Sequence, residues 1–280
     1  VSGAGGPRAA HANLVTINAG TPAKPPLFCV HAEAGDVSLY HAMAGHLSDD
    51  QPVLGLCAPA VGELAGEPRI ERLAEFHVQA IRAARSEGPY LIVGECTGGA
   101  LAYEIAQQLR VAGETVALLA LVDAFAPGLP RLRRTMPRLL YRMLHRARIL
   151  GFHFHNLVRL GVGEKLAYAA AKARRAQLAL TTKASRRLHR ASAGESPQLA
   201  FREALAAYTP TSAGGPMVLF RAARLPLGIE PSPDLGWGAL VESLQVETVP
   251  GYFTTPISEP GVQVLADRLA GHLARVTSAP

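Results

Sequence analysis

Short apolar runs recur along the chain, separated by stretches in which apolar residues return every three or four positions. The runs at 27–31, 52–57, 90–93, 116–122, 217–221 and 245–249 are dominated by Val, Leu, Ile and Phe. Continuous apolar runs that short predict strands buried on both faces. Helical spacing marks 37–47, 70–85, 99–110 and 262–275, and a further short helix is predicted over 238–243. Strands alternating with helices imply an α/β fold, a mostly parallel sheet with helices on both faces. Ligands of such sheets sit beyond the carboxyl ends of the strands.

Two segments break the rhythm. Residues 1–24 are rich in Gly, Ala and Pro without periodicity, and predict a linker from an upstream domain. Residues 127–197 have helix-rich composition and no convincing strand, and predict a helical insertion over the strand ends, a lid. The rest, 25–280, reads as one domain with no internal repeat.

Charge sharpens that picture. The net charge is +6, from 28 Lys and Arg against 22 Asp and Glu. Between Arg131 and Glu195 there are 16 basic residues and only two acidic ones, leaving 12 basic and 20 acidic residues elsewhere. The predicted lid is therefore cationic, and the remainder is mildly acidic. The basic segment has no recognised nucleic-acid-binding motif and reads equally as a solvated helical face. No apolar run approaches the ~20 residues of a membrane span, and no charged-then-apolar leader is present. Three widely spaced cysteines, Cys29, Cys57 and Cys96, suit reduced thiols in a cytoplasm. His153 and His155 alone have metal-like spacing, too little for a metal site.

The strongest chemical signal is Gly94-Glu95-Cys96-Thr97-Gly98, a Gly-x-Ser-x-Gly elbow with cysteine in place of serine. The predicted strand before it and helix after it are the context that this motif needs. Flanking glycines permit a sharp turn that lifts the thiol above the sheet edge. The Thr97 N–H then sits at a helix N-terminus, where unpaired amides and the helix dipole favour an oxyanion. The same position promotes thiolate formation, so Cys96 is expected to ionise readily. Asp123 follows the 116–122 strand and falls at the same sheet edge.

Several segments together resemble the terminal thioesterase domains of nonribosomal peptide and polyketide synthases. Pro26 to His31 with Gly35 resemble the strand and oxyanion loop that open that fold. Gly88-Pro89-Tyr90 through Gly99, then Ala102 to Ala106, resemble the elbow and its helix. Leu118 to Asp123 resemble the strand that delivers the triad acid, and Phe220-Arg221-Ala222, Gly236-Trp237 and Val249-Pro250-Gly251 resemble later landmarks. The resemblance implies an α/β-hydrolase fold with a helical lid. It also implies an acyl-enzyme chemistry: the chain leaves a carrier-bound phosphopantetheine thioester, is held on the enzyme, and departs by hydrolysis or cyclisation. No cofactor of the domain's own is implied; the partner is an upstream peptidyl carrier domain, and a monomer is expected.

Two departures alter that expectation. Cys96 makes the acyl-enzyme itself a thioester, which keeps the acyl group activated for a weak nucleophile. Phe253 stands where the family's late triad histidine belongs, and no histidine lies between His189 and His272. Candidate replacements are the lid pair His153 and His155. His31 and His41 read as packing groups near the oxyanion loop, and His77, His145 and His189 as surface helix positions. Glu33 lies where its amide would complete the oxyanion hole with Thr97; its carboxylate is a second candidate base. Glu95 is expected to shape the pocket floor or bind a cation, and Arg138 and Arg142 to bind an anionic substrate. The cysteine elbow without the late histidine most resembles the β-lactam-forming thioesterases of monobactam synthesis, as in sulfazecin, whose substrates are N-sulfonated. Hydrolytic, macrocyclising or β-lactone-forming release, and a non-catalytic carrier-docking role, are the alternatives.

Overall fold

A computed structural model describes residues 13–59, 63, 67–130, 136–159, 197–211, 214–230 and 232–277. Seven strands form one sheet in the order β1-β3-β2-β4-β5-β6-β7. They are β1 (Leu14–Asn18), β2 (Leu27–Val30), β3 (Val53–Leu56), β4 (Tyr90–Glu95), β5 (Val116–Val122), β6 (Gly214–Arg224) and β7 (Val241–Tyr252). Every neighbouring pair is parallel except β1 and β3.

The central strands are apolar throughout because both of their faces are covered. β2 and β4 are buried at every position. Alternate side chains go to opposite faces. Phe28, Val30 and Ile92 join a core with helices α2 (Ile70–Ala84) and α3 (Gly98–Val111). Leu27, Cys29, Leu91 and Val93 join a second core with α1 (Tyr40–His46) and the C-terminal helix, Gly261–Thr277. Each such Leu, Ile, Val or Phe contributes roughly 1.5–3 kcal/mol by leaving water, which makes the sheet a rigid platform for whatever stands at its carboxyl edge.

Three expectations need correction. Within the segment read as a linker, Leu14–Asn18 forms an antiparallel edge strand on β3, with a register shift between Thr16 and Asn18. Leu-Val-Thr-Ile suits a half-buried edge, and the Gly- and Pro-rich flanks hid it. The helix predicted over 238–243 is instead a turn leading into β7 at Val241. An unpredicted helix, α5 (Pro197–Ala207), buries Phe201 and Ala204 in the first core. Of the predicted lid, α4 (Arg138–Arg159) is described, and its Leu139, Met143, Leu150 and Phe154 are exposed. Residues 131–135 and 160–196 lie outside the described residues. Numbering in chain order, the C-terminal helix is α6. No described helix is long and apolar enough to cross a membrane.

Candidate active site

β4 ends at Glu95, and the chain turns through Cys96 into α3 at Gly98. Cys96 has φ +50°, a left-handed conformation that costs a non-glycine residue about 1–3 kcal/mol. The turn is held by Cys96 N–H donating to the Val122 carbonyl at 2.9 Å and Gly99 N–H donating to the Cys96 carbonyl at 3.1 Å. The flanking glycines permit close approach. A Cβ on Gly94 would lie 2.6 Å from Ala102 Cβ, and one on Gly98 would lie 2.6 Å from the His31 carbonyl oxygen. Cys96 is half-buried just past the carboxyl end of β4.

Its ionisation differs from the expectation. Burial pushes the Cys96 thiol well up, and the nearby carboxylates of Glu95, Asp123 and Glu33 push it further, while the Thr97 N–H pulls it down. Desolvation and three negative charges outweigh one helix-end amide. Cys96 therefore rests as a thiol rather than a thiolate. Glu95 is buried beside it, and is placed to disfavour a thiolate.

Glu33 is placed at the site, in a different arrangement from that expected. Its backbone N–H donates to Thr97 Oγ1 at 3.1 Å, so the second oxyanion amide is occupied by the hydroxyl beside the first. Its carboxylate pairs with Arg202 on α5 at 2.6 Å.

Asp123 is fully buried one strand away, with φ +46° and its N–H donating to the Phe220 carbonyl at 2.8 Å. Ala222 N–H donates to Oδ1 at 2.6 Å and Thr254 N–H to Oδ2 at 2.7 Å. Thr254 is itself left-handed, at φ +69°. Burial pushes the Asp123 carboxyl up to about 7, against the two amides and the Arg221 charge that lower it. Among the described residues its partners are backbone amides and no imidazole. The carboxylate ties β5, β6 and the turn after β7 together at the point where a triad acid would orient a histidine.

Phe253, expected from the sequence at the place of the family's late histidine, belongs to an aromatic cluster. Phe253 is buried, with its ring 5.2 Å from Phe125 and 6.3 Å from the imidazole of His145 on α4. His145 stacks on Tyr141, one turn earlier, at 5.9 Å and 6°. Its Nδ1 lies 2.9 Å from the Tyr252 hydroxyl. Tyr141 approaches Cys96 closely enough for a thiolate there to raise the phenol. His145 is thus no surface position; the i, i+4 pairing with Tyr141 was visible in the sequence, but the face it presents depends on how α4 lies over the sheet. His77, also read as a surface residue, is fully buried, edge-on to His31 at 5.2 Å and 3.3 Å from Asn13 Nδ2. Burial holds it well below the usual histidine range, with the neighbouring His31 adding to the effect.

The backbone at His153 and His155 lies in the last turns of α4, but their side chains lie outside the described residues, as does that of Arg138. Arg142 is exposed on α4. Among the described residues, no group of three or more His, Cys, Asp and Glu side chains converges as a metal site.

A nucleophile elbow after β4, an acid after β5 and a helical segment inserted before β6 on this sheet define an α/β-hydrolase. The family model of the thioesterase domain matches residues 25–250, and the chain belongs to that family. It is 35% identical over 103 residues to a dimodular nonribosomal peptide synthase of Bacillus subtilis (strain 168), a match spanning 36% of this chain and 4% of that protein. It is 31% identical over 104 residues to enterobactin synthase component F of Escherichia coli (strain K12), spanning 37% of this chain and 8% of that one. The chain therefore spans only a small part of these curated relatives. In fold it is similar to the NocB thioesterase domain solved as a covalent complex with a fluorophosphonate nocardicin G analog. That likeness has a TM-score of 0.59 and 23% identity, and covers 95% of this chain and all of the other. A holo four-domain nonribosomal peptide synthetase bound to AMP and glycine is similar with a TM-score of 0.67 and 23% identity, over 96% of this chain and 20% of that one.

Proposed function

We propose that this domain releases the product of a nonribosomal peptide synthetase. In this reading Cys96 takes the peptidyl chain from carrier-bound phosphopantetheine, and an internal nitrogen closes the ring, forming a β-lactam of the monobactam type. The observation that carries the reading is that the described partners of Asp123 are the Ala222 and Thr254 amides, with the buried ring of Phe253 rather than an imidazole next to Thr254. Among the described residues, the pair that ordinarily activates water against an acyl-enzyme is not assembled there. An acyl chain on Cys96 is left to a nucleophile that it carries itself.

The residues suit each step. Cys96 Sγ attacks the pantetheine thioester, and the exchange of one thioester for another is close to thermoneutral. The oxyanion is met by Thr97 N–H and, once the Thr97 hydroxyl turns aside, by Glu33 N–H. The acyl-cysteine remains activated enough for a poorly nucleophilic sulfamate nitrogen. Phe125, Phe253, Tyr141 and Tyr252 surround the approach with aromatic surface, which limits competing water. The cationic segment, with Arg142 exposed on α4, favours an anionic, sulfonated chain or the pantetheine phosphate. An upstream peptidyl carrier domain is the delivering partner.

Intact-mass analysis tests this with a pantetheine thioester of a peptide ending in N-sulfo-2,3-diaminopropionate. The wild-type protein should show an acyl adduct that Cys96→Ala lacks, and a product one water lighter than the free acid, with ring size settled by NMR. Free acid as the main product would establish hydrolysis instead. A larger ring would establish macrocyclisation. Absence of any adduct or turnover with the wild type would leave a carrier-docking domain.

A further inference from the structure

The Cys96 proton needs an acceptor, and among the described residues the structure narrows the choice. Asp123 is tied to backbone amides, and Glu33 is paired with Arg202. His31 lies beneath the oxyanion loop against His77 and Phe201, with Nδ1 2.8 Å from the Ala32 carbonyl oxygen. His46 is paired with Glu259 and His272 with Glu247, both on the opposite face of the sheet. His41 is exposed on α1.

We propose that His145 of α4 is the general base of this site, with the Tyr252 hydroxyl taking the orienting part that a carboxylate plays in a triad. The proposal rests on the acyl-enzyme reading above. Its geometry comes from three elements. α4 supplies the imidazole, stacked on Tyr141 at 5.9 Å. The end of β7 supplies Tyr252, whose hydroxyl lies 2.9 Å from Nδ1, and the turn after it supplies Phe253, 6.3 Å away ring to ring. The imidazole therefore stands alongside the residue that replaces the late histidine, reaching the same region from the lid. With Nδ1–H donating to the Tyr252 oxygen, the Nε2 lone pair is the basic one, and the hydroxyl stabilises the imidazolium that forms.

The proton balance is simple. Nε2 takes the Cys96 Sγ–H proton as the C–S bond to the acyl group forms. Nε2–H then returns it to the departing pantetheine sulfur as the old C–S bond breaks. In release, the attacking nitrogen gives its proton to Nε2 as the C–N bond forms, and the expelled Cys96 sulfur recovers it. Partial burial holds His145 below the ordinary histidine range, so it is neutral and basic near pH 7. The titratable groups in contact with it are Tyr141 on its own helix and Tyr252 from β7; Cys96 lies near Tyr141, Arg148 near Tyr252, and Asp123 holds the amide of Thr254 next to Phe253. Burial pushes Tyr252 up to about 12, so it stays a neutral hydroxyl through the working range.

The test follows acylation of Cys96 by a pantetheine thioester, read by intact mass across pH, for wild type, His145→Gln and Tyr252→Phe. Wild-type acylation should rise with pH and level off below about 6.5, the ordinary histidine value. His145→Gln should acylate roughly 10²–10³-fold more slowly at neutral pH. Its rate should keep climbing into the alkaline range, because only the free thiolate then reacts, and added imidazole should restore at least part of the loss. Tyr252→Phe should shift the acid limb to lower pH, a change that a merely structural role would not produce. That limb also decides the matter if His145→Gln lowers the melting temperature. A His145→Gln protein that keeps the wild-type rate and acid limb, while Cys96→Ala abolishes the adduct, overturns the base and leaves the acyl-enzyme reading standing. No adduct on the wild type overturns both.

Discussion

Asp123→Asn separates a carboxylate that clamps backbone from one that orients an imidazole. The side chain accepts from Ala222 N–H at 2.6 Å and from Thr254 N–H at 2.7 Å, and it is fully buried. An asparagine keeps one acceptor oxygen and turns an NH2 toward the other amide. One buried N–H is then unsatisfied, at a cost of about 1–3 kcal/mol. Asp123→Ala strands both amides and should cost about twice as much, since the two act on separate strand ends. The comparison belongs at pH 6, below the value of about 7 to which burial raises the carboxyl, so that ionisation does not mask the hydrogen bonds. For a chain of this size, about 2 kcal/mol lowers the melting temperature by about 4–8 °C. Thermal unfolding followed by circular dichroism measures that shift, and intact-mass kinetics on the same samples measure Cys96 acylation. The clamp predicts a clear loss of stability with acylation within about tenfold of wild type, whereas losing a triad acid costs about 10⁴-fold. An Asn variant that melts with the wild type and acylates about 10⁴-fold more slowly would refute the reasoning.

Other perturbations follow from the same geometry. Because the folded Asp123 carboxyl titrates near 7 and an unfolded one near 3.9, the native protein holds a proton that the unfolded chain has released. This stabilising contribution is complete below about pH 4 and is lost as pH rises through about 7, so refolding at pH 5.5 should take up close to one more proton in wild type than in Asp123→Asn. Glu33→Gln breaks an exposed pair with Arg202, so stability should change by less than about 1 kcal/mol in urea titrations. Its acylation rate should stay near wild type, and a fall of about 100-fold or more would make Glu33 a proton acceptor after all. Gly98→Ala places a Cβ 2.6 Å from the His31 carbonyl oxygen, which must move the oxyanion loop away from the elbow. A loss of about 1–3 kcal/mol is expected, with slower acylation in single-turnover measurements.

The parallel sheet was legible because its central strands are buried on both faces and therefore apolar at every position. The elbow was legible for a related reason. Gly94 and Gly98 record close backbone contacts, to Ala102, Gly98 and His31, that no larger residue tolerates. Less legible were segments whose neighbours lie far away in the chain. β1 forms because β3 offers an open edge, and a short run between Gly- and Pro-rich flanks does not announce that. α5 is shaped by packing Phe201 against His31, 170 residues earlier in sequence.

The local chain thus specified the elbow: a cysteine between Gly94 and Gly98, after a strand and before a helix, turns sharply there, with the Val122 carbonyl of β5 and the His31 carbonyl closing on it from outside. The ionisation of Cys96 was decided elsewhere. Burial acts first, and the charges of Glu95 beside Cys96 in the chain, of Asp123 after β5 and of Glu33 after β2 add to it, reversing the thiolate expected from the helix N-terminus. The surroundings of Phe253 were decided the same way. Phe253 is a simple absence in the sequence, whereas His145 becomes its neighbour only when α4 crosses the end of β7. Proton affinities depend on distance and solvent exclusion, and those quantities exist only once the strands and α4 have been brought together.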